Sequence, residues 1–201
     1  MPPFEFFVIK YANQWELKEK PLHESLSGKS IPDEMISKSL QHFKVGRTFK
    51  GLGDKGSKTF IAKALIEVSK CTTINNYPDR VNSLAKLLAK KFGTHNISAA
   101  SKLLWLRKRY PVLIIDKWAK KSLMDRGLPR TADYEQYSQA WRAEFKSNEK
   151  AIQNACKKLK GAKEFSAFWE KIDREVIEIA NASWFQERVF DMHLLYLGKN
   201  S

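Results

Sequence analysis

Residues 94–123 read THNISAASKLLWLRKRYPVLIIDKWAKKSL. In this stretch a tight connection at 94–98 leads into an apolar helix that runs from about Ala99 to Arg109 and is stopped by Pro111. A short apolar piece follows at 112–115, and Asp116 then stands where a helix N-cap belongs. The stretch therefore predicts two helices joined by a Pro-bounded extended segment.

Apolar residues at helical spacing continue on both sides of this stretch. Upstream, the spacing predicts a helix from Thr59 and another that ends at Phe92, where Gly93 suits a C-cap. Downstream, it predicts helices over 132–160, 163–181 and 183–197. Strands that alternate with helices are absent, which argues against Rossmann and TIM-barrel architectures. The sequence therefore predicts a mostly α protein.

The first 58 residues predict an N-terminal segment that packs on a helical domain of residues 59–201, with both parts in one compact unit. A short apolar run from Phe4 to Ile9 favours a short irregular or β piece at the start. A helix over about 32–43 is expected, because Pro32 and two acidic residues suit a first turn.

The net charge of +14 is concentrated in one part of the chain. Residues 80–126 carry twelve basic and two acidic side chains, for a net +10, whereas residues 132–191 are nearly neutral. A solvated helical surface usually mixes both signs of charge. The excess favours a polyanionic partner, and we expect nucleic acid and no membrane.

Several classes of protein are excluded by simple patterns. No run of about 18 apolar residues is present, as a membrane span would need, and residues 1–5 do not begin a secretory signal. The two cysteines, Cys71 and Cys156, form no CxxC motif, and the four histidines are scattered. We therefore expect a reduced, cytoplasmic, monomeric protein with no metal and no cofactor.

Residues 45–58, VGRTFKGLGDKGSK, form a glycine-rich loop that resembles a P-loop only in part. That motif needs a lysine directly after its second glycine, so that the ammonium reaches the phosphates. Here Ser57 separates Gly56 from Lys58, and no strongly apolar strand precedes the loop. The sequence therefore favours a flexible loop whose lysines lie near a backbone phosphate, and not an NTPase.

The stretch at 94–123 resembles the helix-hairpin-helix DNA glycosylase superfamily, and specifically its bacterial 8-oxoguanine glycosylase (OGG-fold) branch. In that family a catalytic lysine follows the hairpin near the start of a helix, and a catalytic aspartate caps the next helix. The resemblance implies that Lys102 is the nucleophile and Asp116 its carboxylate partner, and it covers about residues 60–198. The chain departs from the family at the hairpin, which lacks the usual glycines, and in the short spacing between Lys102 and Asp116.

The two residue types suit cleavage of an N-glycosidic bond. A carboxylate stabilises the positive charge that develops on the sugar, and a lysine amine can attack C1′ and leave a Schiff base. The target base must first leave the stack, which brings it to a pocket. The residues expected to contact DNA are Asn96, Ser98, Ser101, Arg107, Lys108, Arg109, Lys117, Lys120 and Lys121. The resemblance also suggests base-pocket residues on the last helix, namely Trp184, Phe185, Gln186 and Asp191.

Three functions stay open at this point. The first is a DNA glycosylase with β-lyase activity on oxidised or otherwise modified guanine, which the Lys102 and Asp116 pair favours. The second is an OGG-fold accessory protein of an anti-phage defence operon that binds modified guanine or nucleic acid without ordinary repair activity, and the altered hairpin favours it. The third is a protein-interaction component that uses the mixed-charge C-terminal helices.

Overall fold

The computed structural model describes residues 1–201 and contains ten α-helices and no strand. The helices are α1 (Phe4–Gln14), α2 (Lys20–Ser27), α3 (Asp33–His42), α4 (Ser57–Ser69), α5 (Tyr77–Phe92), α6 (Ile97–Lys108), α7 (Lys117–Met124), α8 (Tyr134–Lys157), α9 (Asp173–Asn181) and α10 (Ser183–Asn200). A π-helical turn (Trp15–Glu19) and two 3-10 segments (Gly46–Thr48 and Lys158–Phe165) complete the regular structure. The prediction of a mostly α protein is confirmed.

The chain divides into two compact units. Residues 1–18 and 116–201 form the first, here called the terminal unit, and residues 19–115 form the second, here called the central unit. This division differs from the expected boundary after residue 58. It arises because α1 contacts α8, α10 and the 3-10 segment at 158–165, all of which lie in the last third of the sequence.

The expectation of an irregular or β segment at the N-terminus is wrong, because residues 4–14 form α1. The buried residues of this helix are Phe7, Val8, Tyr11 and Ala12. This i, i+1, i+4, i+5 spacing places them on one face of a helix. The run of consecutive apolar residues at 6–9 hides that period, since Phe6 and Ile9 lie off the buried face.

Helix α10 is the centre of the terminal unit. Every residue from Phe185 to Leu194 is buried, and the helix packs on α1, α7, α8 and α9. Near its end, Gly198 lies directly against the backbone carbonyl of Trp118 on α7. Glycine permits this approach because it has no Cβ, so the two helix backbones come close together at this point.

Helix α6 has the same role in the central unit. Residues 99–106 are all buried, and the helix packs on α2, α3, α4 and α5. The turn that leads into it begins at Gly93, which has a φ of 72° and whose amide bonds to Ala89 O at 2.8 Å. The prediction of Gly93 as the C-cap of α5 is therefore confirmed.

Candidate nucleic-acid interface

Asn96 fixes the start of α6. Its Oδ1 accepts a hydrogen bond from the Ala99 amide at 2.9 Å, which is the geometry of an N-cap. Its Nδ2 donates to Thr48 Oγ1 at 2.8 Å. The side chain of Asn96 thus joins the glycine-rich loop to the turn before α6, instead of pointing freely at a ligand.

Lys102 is buried on α6, with a relative exposure of 6%. Its Nζ lies 3.1 Å from Ser98 Oγ, one helical turn earlier, and 5.8 Å from the centre of the Phe43 ring. Lysine is almost never fully buried in proteins. The amine is therefore held in a defined place by the central unit.

The glycine-rich loop brings positive charge to the segment next to Phe43. Its exposed basic residues are Arg47, Lys50 and Lys55, and the exposed Lys44 directly precedes it. The loop is internally ordered, since Ser57 Oγ donates to Gly51 O at 2.8 Å and Gly51 and Gly56 take the positive φ angles of 74° and 80°. The central unit therefore places an ordered basic loop in contact with the N-terminal turn of α6, through the Asn96–Thr48 bond.

The two serines expected to contact DNA make bonds inside the central unit. Ser98 Oγ donates to Ile115 O at 2.9 Å. Ser101 is fully buried, donates to Ser98 O at 3.0 Å and accepts from the Ile115 amide at 3.2 Å. Ser101 is thus a structural residue that ties α6 to the extended segment before α7. Its hydroxyl is too deep to contact a phosphate.

The basic residues proposed for phosphate contact differ in their surroundings. Arg107 has a structural role inside the central unit, because its guanidinium donates hydrogen bonds to Ser69 Oγ at 2.6 Å, to Gly28 O at 3.1 Å and to Leu26 O. Arg109 ends α6 with a φ of 56° and is half-buried. Lys108 on the same helix is exposed. In the central unit, Lys108 is therefore the residue of this group that suits a phosphate contact.

The lysines of α7 belong to the terminal unit. Lys120 donates to Ala132 O at 2.7 Å, and Lys121 bonds to Asp125 at 3.1 Å and to Ser201 Oγ at 2.5 Å. Lys117 is exposed, with its amine 4.3 Å from the centre of the Trp118 ring. Lys117 is thus the α7 lysine best placed to reach an external anion.

Asp116 is the N-cap of α7, as the sequence predicts. Its Oδ1 accepts from the Trp118 amide at 3.0 Å. It also acts on the buried phenol of Tyr137, because burial first, and then the charges of Asp191 and Asp116, raise the pKa of Tyr137 well above its usual value. The two aspartates therefore belong to one electrostatic group around Tyr137 in the terminal unit.

The residues suggested for a base pocket lie mostly inside the terminal unit. Phe185 is fully buried, and Gln186 is 8% exposed and donates to Ala180 O at 3.0 Å. Trp184 is half-buried, with its ring centre 4.4 Å from that of Trp15 and 6.4 Å from that of Tyr11. Phe185 and Gln186 are therefore core residues in this structure.

Asp191 forms a buried ion pair with Arg188 on α10. The guanidinium of Arg188 lies 5.4 Å from the centre of the Tyr11 ring. Sequence reasoning missed Arg188 and Tyr137 as neighbours of Asp191. The i, i+3 spacing of Arg188 and Asp191 on a helix was the available signal, whereas the approach of Tyr137 depends on the packing of α8 against α10.

Comparison with known proteins gives no further identification: no family model, no curated protein and no solved structure matches this chain. The structure holds no group of three or more histidine, cysteine, aspartate or glutamate side chains arranged for a metal ion. No helix combines the length and the apolar character that crossing a bilayer requires.

Proposed function

We propose that the protein is a DNA glycosylase with lyase activity that acts on oxidised or otherwise modified guanine. The observation that carries the proposal is the buried amine of Lys102, held 3.1 Å from the Ser98 hydroxyl and above Phe43. A lysine that serves only solubility lies in solvent. A lysine amine that forms a Schiff base is held away from bulk water and in a fixed position.

In this reaction the amine of Lys102 attacks C1′ of the damaged nucleotide. The N-glycosidic bond breaks, the base leaves with the bonding electrons and takes up a proton, and the sugar ring opens to a Schiff base. The resemblance assigns to Asp116 the carboxylate that stabilises positive charge on the sugar. Its bond to the Trp118 amide holds this side chain in a fixed orientation at the start of α7.

The first test is borohydride trapping on duplex and single-stranded DNA that contains 8-oxoguanine. Wild-type protein should give a covalent adduct, and Lys102→Gln should give none, because an amide cannot form a Schiff base. Lys150→Gln is the matched control, since Lys150 is an exposed helical lysine outside the basic segment at 80–126, and it should trap like wild type. An adduct that persists in Lys102→Gln would contradict the assignment of the nucleophile.

The role of Asp116 is tested with a variant that keeps the helix cap of α7 but removes the carboxylate. Asparagine caps a helix about as well as aspartate, so Asp116→Asn should keep the stability of the protein but lose base release. Asp133→Asn is the control, because Asp133 caps α8 with the same type of bond, at 2.8 Å to the Gln136 amide. If Asp116→Asn released base at the wild-type rate, the carboxylate would have no part in the reaction.

A second candidate function is binding of modified guanine or nucleic acid without excision, as in an accessory protein of a defence operon. The turn before α6 favours it, because Asn96 and Ser98 use their side chains inside the unit where the family has glycines. Glycines let a backbone approach a phosphate closely. If the protein binds the modified DNA but gives neither a covalent adduct nor free base, that result would support binding without excision over the glycosylase function.

A further inference from the structure

The central unit contains a paired carboxyl and imidazole to which the proposed reaction assigns no role. Glu19 directly precedes α2 and is fully buried, and its Oε1 lies 3.4 Å from Nε2 of His42, the last residue of α3. Glutamate is almost never fully buried in a protein unless it is paired. The carboxyl of Glu19 therefore holds the imidazole of His42 in a defined orientation.

This pairing leaves the second nitrogen of the imidazole available to a ligand. Nε2 of His42 is engaged by Glu19, whereas Nδ1 makes no hydrogen bond inside the protein and is not enclosed by it. The His42 side chain is 16% exposed, so the ring lies at the edge of the core. An imidazole that is oriented by a carboxylate at one nitrogen and open at the other is an arrangement that enzymes use to transfer protons.

Phe43 connects this pair to the amine of Lys102. The amine lies over the Phe43 ring, 5.8 Å from its centre. The His42 ring contacts the same ring edge to face, with 4.7 Å between the two centres. Helices α2, α3 and α6 pack on one another and so fix these positions. The nucleophile of the proposed reaction and the imidazole therefore lie at one shared aromatic ring.

Release of a base from a nucleotide requires a proton. The electron pair of the N-glycosidic bond moves to the base, and a base that is protonated at the same time leaves as a neutral molecule. A positioned general acid supplies this proton in many enzymes. An unstacked base also needs a surface to lie on, which aromatic side chains provide. Phe43 is half-buried and lies next to the basic glycine-rich loop, so its ring suits this purpose.

We propose that His42, oriented by Glu19, is the general acid that protonates the departing base while the base stacks on Phe43. As Nζ of Lys102 forms its bond to C1′, the electron pair of the C1′–N bond goes to the base, and the proton moves from Nδ1 of His42 to the base. The new ammonium at Nζ then returns a proton to Nδ1. This inference rests on the proposed function and deepens it, because it assigns the source of the proton.

The test separates release of a base from attack on the sugar. The substrates are DNA that contains 8-oxoguanine and the same DNA with a preformed abasic site, which has no base to lose. His42→Gln keeps a hydrogen-bond donor for Glu19 but has no acidic proton. It should slow release of 8-oxoguanine in a single turnover by on the order of 100-fold. Borohydride trapping on the abasic site should stay within about twofold of wild type, because Lys102 is intact.

His23→Gln is the matched control. His23 is also a half-buried histidine of the central unit, but its Nδ1 donates to Leu106 O at 2.6 Å and is committed to that bond. This variant should release 8-oxoguanine and trap on the abasic site like wild type.

Glu19→Gln tests the positioning role of the carboxyl. It should slow base release and leave trapping on the abasic site intact, because it loosens the imidazole without changing Lys102. Residues that act as a unit have non-additive effects, so the double variant Glu19→Gln/His42→Gln should release base about as slowly as His42→Gln alone. A merely structural effect of Glu19 would add to that of His42→Gln and would also weaken trapping on the abasic site.

Two results would overturn the assignment of His42 alone. The first is release of 8-oxoguanine by His42→Gln at the wild-type rate, while Lys102→Gln releases none. The second is an equal loss of base release and of trapping on the abasic site in His42→Gln, which would mean that the residue only supports the fold. Failure of the proposed function is recognised in the wild type: protein that releases no base and forms no adduct would contradict the glycosylase proposal and, with it, the role of His42.

Discussion

Glu187 is a buried carboxyl whose ionisation acts against the folded state. Its Oε1 lies 3.3 Å from Arg142, its Oε2 has no hydrogen-bond partner, and its relative exposure is 5%. Burial raises the pKa of Glu187 to about 7, although Arg142 acts in the opposite direction. In the unfolded chain the same group titrates near its ordinary value of 4.5. The stabilising effect of the protonated form is therefore complete below pH 4.5 and is lost as the pH rises through about 7.

Glu187→Gln should remove this pH dependence. Relative to the variant, the free energy of unfolding of wild type should fall between about pH 4.5 and pH 7, by about 3 kcal/mol at most. Urea unfolding at a series of pH values measures the difference. Glu178→Gln is the control, because Glu178 is exposed and pairs with Arg174 at 2.8 Å, and its curve should run parallel to that of wild type. Parallel curves for Glu187→Gln would show that the carboxyl is solvated in solution.

The contact of α10 with α7 depends on the absence of a side chain at Gly198. A Cβ at this position would collide with the Trp118 carbonyl and would lie 3.2 Å from the Ser122 amide nitrogen. Both neighbours are backbone atoms of a helix, so neither can turn away as a flexible side chain would.

Gly198→Ala should therefore destabilise the protein by about 1–3 kcal/mol, despite the better helix propensity of alanine. Thermal or urea unfolding measures this change. Gly161→Ala is the matched control, because no atom lies within 4 Å of a Cβ added there, and it should change the stability by less than about 0.5 kcal/mol. Equal effects of the two substitutions would mean that α10 and α7 pack less closely in solution.

Helices with local start and stop signals are the elements that the sequence predicts well. Gly93 marks the end of α5 and Asp116 the start of α7, as predicted, because capping involves only neighbouring residues. The helix expected over 163–181 is instead a loop followed by α9. There Ser166 accepts the Phe168 amide and Phe168 turns into the core, and such side-chain bonds compete with helix formation.

The candidate site is predictable only in part, for a related reason. The resemblance to the glycosylase superfamily suggests Lys102 and Asp116, but it gives no information on how deep a side chain lies. The burial of Ser101 and the internal bonds of Arg107 arise from packing between helices that are far apart in sequence. Local sequence patterns also cannot predict the packing of α1 on α10, which joins the two ends of the chain in the terminal unit.

The distribution of charge, and not its sum, should control binding to duplex DNA. In the central unit, Lys90, Lys91 and Lys108 are exposed and belong to the segment at 80–126, which carries most of the positive charge. Lys146, Lys150 and Lys199 are also exposed but lie outside that segment. Replacing either set with alanine lowers the formal net charge from +14 by three.

The variant that lacks Lys90, Lys91 and Lys108 should bind duplex DNA more weakly than wild type at every salt concentration. The slope of the logarithm of the binding constant against the logarithm of salt concentration should decrease by about 0.9 for each phosphate that the protein no longer neutralises, because fewer counterions are released. The variant that lacks Lys146, Lys150 and Lys199 should keep the wild-type slope. Equally weakened binding in the two variants would mean that the net charge attracts DNA without a localised interface, since both proteins then differ from wild type only in total charge.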